Sequence, residues 1–132
     1  MNKIKIFSSL VLLFTIACCK KDDSPNYQSE AASYGFHIIT NGEPITGASL
    51  LYSFFDGKEI QNVELHYIKE RISKEPTKYY PIGTNIKGKV STTLAVSSSS
   101  DNLRVTLQLL RDGTVIKEDT KQGKTFTLEV SN

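Results

Sequence analysis

Residues 34–132 predict an all-β fold, an antiparallel Ig-like β-sandwich of about seven short strands. Three observations carry that prediction. Apolar and polar residues alternate with period two along most of the segment, the signature of strands with one buried and one solvated face. Asp-Gly pairs at 56–57 and 112–113 fall between such runs, where a hairpin needs a residue tolerant of positive φ. Helical periodicity is nearly absent.

Taken in order, Phe36, Ile38 and Thr40 alternate with His37 and Ile39 until Asn41-Gly42-Glu43-Pro44 breaks the run. Leu50 to Phe55 is a compact apolar strand that turns at Asp56-Gly57. The returning strand places Val63, Leu65 and Tyr67 on one face, with Glu64 and His66 on the other. Lys69 to Lys78 is polar and contains Pro76, which marks a loop or irregular edge. Tyr79-Tyr80-Pro81-Ile82 resumes an extended segment, and Pro81 puts it at a sheet edge because proline cannot donate to a ladder. Val90, Thr92, Leu94 and Val96 then form an alternating strand, and the polar run 97–102 is a loop. Leu103, Val105, Leu107 and Leu109 lead through Asp112-Gly113 into Val115-Ile116-Lys117. Phe126, Leu128 and Val130 alternate with Thr125, Thr127 and Glu129 to close the pattern. A small closed barrel would produce the same strand signals.

From Ile60 to Val130 the layout resembles the MmpS-type extracytoplasmic domain. It shares an extended aromatic-proline segment, the pair Lys87-Gly88, an alternating strand, a polar loop, and then the stretch from Arg104 to Glu118. The resemblance implies the sandwich fold and a transport-accessory role, although the cysteines that family carries near its end are missing here.

The N-terminus has a different character. Lys3 and Lys5 precede an apolar stretch of about twelve residues from Ile6 to Ala17. That is short of the roughly 20 residues a membrane-spanning helix requires, and it matches the apolar core of a secretory signal. Cys18 follows the small residue Ala17, so the segment resembles the lipobox of bacterial lipoproteins. The resemblance implies removal of residues 1–17 and a lipid on Cys18. Cys19, with Ile16 three residues ahead of it, is the alternative acceptor. Lys20, Lys21, Asp22 and Asp23 then look like the surface-export signal of lipoproteins in the Bacteroidota. That likeness implies an outer-membrane protein facing outward, with the periplasmic leaflet as the alternative. Residues 18–33 lack periodicity and read as a lipidated flexible tether, about 15 residues that span roughly 20–25 Å as a random coil.

Lys3 and Lys5 leave with the leader, so 14 of the 16 Lys+Arg remain against 14 Asp+Glu and the mature chain is neutral. A nucleic-acid partner, which requires concentrated basic charge, is not expected. Both cysteines sit at the lipobox, so residues 34–132 have no disulfide and depend on an apolar core.

Chemistry is hard to find in this segment. Its only histidines, His37 and His66, lack a partnering constellation in the sequence. No Gly-x-Ser-x-Gly elbow orients a serine, and the serines at 97–100 read as loop residues. Glu70 and Glu75 lie in a charged loop, and Asp56 and Asp112 are turn formers, so no cofactor and no metal is expected. Tyr79-Tyr80 is the one notable aromatic pair, and on a strand its rings point to opposite faces. The sequence therefore predicts a lipid-anchored, non-enzymatic binding or accessory domain that contacts another envelope protein or an extracellular ligand. A glycan- or peptide-binding module using Tyr79 or Tyr80 is the alternative, with an unrecognised hydrolase a distant third.

Overall fold

Alternation gives most strands one apolar face, and two sheets bury those faces against each other. The structure, a computed structural model, describes residues 30–132. Eight strands form where about seven were expected: β1 (Ala32–Thr40), β2 (Gly47–Phe55), β3 (Ile60–Glu64), β4 (Thr77–Ile86), β5 (Val90–Ser97), β6 (Arg104–Arg111), β7 (Thr114–Gln122) and β8 (Thr125–Ser131). One helix, α1 (Ile68–Lys74), lies between β3 and β4. The first sheet has the order β4-β1-β6-β7 and the second β3-β2-β5-β8. Every pairing is antiparallel. The first strand begins at Ala32, two residues ahead of the sequence boundary at 34.

Much of the core is made of side chains that alternation singles out. Phe36 and Ile38 from β1, Leu94 from β5, Val105, Leu107 and Leu109 from β6 and Leu128 from β8 are fully buried. Each such side chain contributes roughly 1.5–3 kcal/mol relative to exposure. An aromatic row lies inside: Phe36 stacks on Tyr80 at 5.2 Å and meets Tyr52 at a tilt, 5.8 Å away.

Two parts of the sequence reading are corrected. The stretch from Lys69, read as loop, is helical as far as Lys74, with Ile68 and Ile72 buried one turn apart. Tyr67, expected on a core face, is 76 % exposed, because the chain leaves β3 at Glu64 and turns through a left-handed Tyr67 (φ 60°) into α1. Leucine 65 still packs against the core.

The sandwich has two distinct ends. The start of β1 pairs with the end of β4 (Ala32 with Ile86) and Tyr34 pairs with Arg111 at the end of β6. The end of β2 pairs with the start of β5 (Phe54 with Val90). Asn132 ties these edges together, accepting from the Val90 amide and donating to Gly88 O and Tyr34 Oη. Chain entry, both Asp-Gly turns, the β4–β5 loop and the last residue therefore share one end. At the other end lie the β1–β2 loop, α1 and the serine loop. There Ser98 Oγ donates to Pro44 O and Ser100 Oγ donates to Glu43 Oε1 at 2.7 Å, so these hydroxyls hold loops together.

Candidate functional site

Strand alternation sends Tyr79 and Tyr80 to opposite faces of β4. Tyr80 is buried, its ring stacked on Phe36 within 15° of parallel. Its hydroxyl is buried with no hydrogen-bond partner among the described residues, and burial pushes its pKa above the ordinary value. Tyr80 therefore belongs to the core, and only Tyr79 of the pair is exposed.

Tyr79 is 44 % exposed on the outer face of the first sheet. Across the β1–β4 pairing it stands opposite His37, and its ring leans over Gly35, two residues along. A Cβ at Gly35 would collide with Tyr79 Oη and Cζ. The glycine thus makes the seat on which the ring lies, and the far side of the ring faces solvent.

Strand register extends this seat in two rows across the sheet. One row runs Pro81, Gly35, Leu110, Val115 and is apolar. The next runs Tyr79, His37, Gln108, Glu118, and within it Gln108 Nε2 donates to Glu118 Oε1 at 3.2 Å. Beyond it the Thr106 and Thr120 hydroxyls are bonded at 2.8 Å. An aromatic face beside apolar ground and a rank of planar polar groups can stack on a ring and bond its substituents. The sequence reading missed Leu110, Val115, Gln108 and Glu118, because their adjacency to Tyr79 depends on strand register and nothing local encodes it.

The other singled-out residues do not converge. His37 lies on the outer face of the first sheet, whereas His66 is exposed in the turn after β3, a strand of the second sheet. Glu75 pairs with Lys78 at 3.2 Å on the surface. Asp56 accepts bonds from the amides of Glu59 and Lys58 and from Gln61 Nε2, which hold its carboxyl below the ordinary range. Asp112, with φ 50°, and Gly113, with φ 84°, form the turn the sequence predicts. The Asp112 carboxylate also accepts from the Ser33 amide at 2.9 Å, clipping the turn to chain entry. Among the described residues no group of three or more His, Cys, Asp or Glu gathers as a metal site. Cys18, Cys19, Lys20, Lys21, Asp22 and Asp23 lie outside the described residues.

No family model, curated protein or solved structure matches the chain. Among the described residues no helix is long and apolar enough to cross a membrane.

Proposed function

We propose that this chain is a lipid-anchored, non-enzymatic binding module of the bacterial outer membrane, surface-facing, which holds its ligand on the outer face of the first sheet at Tyr79. The observation that supports the binding role is the ring of Tyr79, seated on the bare backbone of Gly35 and open on its far side. A flat ring backed by backbone cannot fold away from a ligand, so little ordering is lost on contact. The lipobox-like Ala17-Cys18 and the step Lys20-Lys21-Asp22-Asp23 support the anchor and its outward orientation. The resemblance to MmpS-type domains favours a partner in an envelope assembly, with a glycan or peptide as the other ligand class for the same face.

Glycan and peptide arrays, together with crosslinking in intact envelopes, test the face. Tyr79→Ala loses binding at least ten-fold, and Gly35→Ala weakens it by lifting the ring, while Tyr80→Phe retains it. Ligand capture that is indifferent to Tyr79→Ala and Gly35→Ala rejects the site. The anchor is read separately from the mass of the mature N-terminal peptide, which carries diacylglycerol on Cys18; an unmodified cysteine there and at Cys19 rejects it. Asp22→Ala with Asp23→Ala reduces protease access on intact cells if these residues direct export.

A further inference from the structure

Exposed apolar side chains gather at the end of the sandwich where the chain enters. Seven large hydrophobic residues are exposed among the described residues, and four of them, Phe55, Ile60, Val115 and Ile116, flank the turns of this end. Phe55 and Ile60 face each other across the β2–β3 pairing, directly beside the Asp56 turn. With Ser53, Phe54, Gly88 and Lys89 they line an open cleft of about 250 Å³. Ile60 is 66 % exposed, the apolar high point of this end among the described residues.

Lysines border the cleft, and acids stand at the same end, Asp56 and Glu59 at the hairpin tip and Asp112 in the other turn. Among the described residues Lys89 is the only charged one lining the cleft, Lys87 flanks Gly88, and Lys58 caps the hairpin tip; all three are exposed. Lys87 and Lys89 are in no ion pair among the described residues. Of the acids at the same tip, Asp56 is turned into its own hairpin by three hydrogen bonds, and Glu59 receives one long bond from Gln61 at 3.4 Å. Apolar side chains surrounded by lysines form an interfacial surface: the hydrocarbon sinks below the headgroups, and the ammonium groups reach their phosphates.

Chain length specifies the occupant. From Cys18 to Glu30 the chain has 12 peptide steps, and even fully extended these reach only about 40 Å. Glu30 leads into β1 at this apolar end. A bilayer holding the lipid of Cys18 is therefore always within reach of the patch, at a high effective concentration.

We propose that this end, centred on Phe55 and Ile60 and ringed by Lys58, Lys87 and Lys89, docks on the phosphate-bearing headgroups of the membrane that anchors the chain. The inference rests on the lipid-anchor reading. It gives the domain a fixed attitude, with the loop end around α1 directed away from the bilayer and the Tyr79 face standing beside it.

The chain has no tryptophan, so one introduced tryptophan reports its own surroundings. The lipidated full chain carrying Ile60→Trp is reconstituted in vesicles of phosphatidylethanolamine and phosphatidylglycerol, with or without brominated acyl chains. Ser99→Trp, in the exposed loop of the opposite end, is the control. Blue-shifted emission and bromine quenching at position 60 and not at 99 are expected, with quenching at least two-fold weaker in the combined variant K58Q/K87Q/K89Q. Equal, water-like emission at both positions in verified lipidated protein overturns the docking and leaves the anchor standing. An N-terminal peptide without diacylglycerol overturns both, and the mass spectrum identifies that case.

Discussion

At the scale of single residues, the tyrosine pair shows how one strand makes opposite uses of the same side chain. Tyr79 needs its neighbour to be glycine, whereas Tyr80 stacks on Phe36 and gives up hydrogen bonding for its hydroxyl. An unpartnered buried hydroxyl bears its desolvation cost without return, so Tyr80→Phe should leave stability unchanged or raise it by up to about 1 kcal/mol, measured by denaturant unfolding. The same variant has a pH signature. Burial raises the folded-state pKa of Tyr80 above its unfolded value, so its contribution is complete below pH 10 or so and is lost as pH rises through the folded pKa. Tyr80→Phe should remove that alkaline loss. Asp56 behaves in the opposite sense. Hydrogen bonds from the Glu59 and Lys58 amides and from Gln61 lower its folded pKa, so the stabilisation is present above about pH 4 and fades as pH falls through the folded value. Asp56→Asn should be less stable at neutral pH, and the gap between it and the wild type should narrow in acid.

At the scale of elements, what was legible in the sequence depended on length. In β5, β6 and β8, four or three inward residues repeat without interruption, and all three appear with the faces they announced. Helix α1 has only 7 residues, too few for the one pair Ile68 and Ile72 to register as a period, so its lysines and glutamate made it look like a loop. An isolated helix of that length is unstable in water, and no side chain caps its start. Its existence therefore depends on the two isoleucines, which are almost fully buried. Ile72→Ala should cost about 2–5 kcal/mol, and amide exchange at residues 68–74 should rise well before that of β5. The strand β3 ended early for a related reason: alternation ran on to Tyr67 in the sequence, but the entry into α1 takes the chain out of register first. The ground around Tyr79 was illegible for a third reason. Leu110, Val115, Gln108 and Glu118 come from strands far away in sequence, and only pairing register brings them into the same rows.

At the scale of the whole molecule, a two-sheet sandwich must protect the strands at its open edges, since unpaired amides and carbonyls invite another chain. Here β7 and β8 end their respective sheets on neighbouring edges, and the link between them is made by side chains. The Asp119 carboxylate accepts from the Glu129 amide at 3.0 Å, and the Lys121 ammonium donates to Thr127 O at 2.8 Å. Residues 127 and 129 present their backbone groups to the same side of β8, so one acid and one base from β7 occupy an edge that another strand would otherwise pair with. Both side chains are charged, which makes the plug cheap on the surface and hostile to an incoming apolar strand. The pair Asp119→Ala with Lys121→Ala uncovers these groups without touching the core. The expected result is a small loss of monomer stability together with concentration-dependent dimers or larger species, read by light scattering at a temperature where circular dichroism still shows the folded sandwich. A double variant that stays monomeric at high concentration would mean that the close approach of β7 itself shields β8, and that the charged pair is incidental to edge protection.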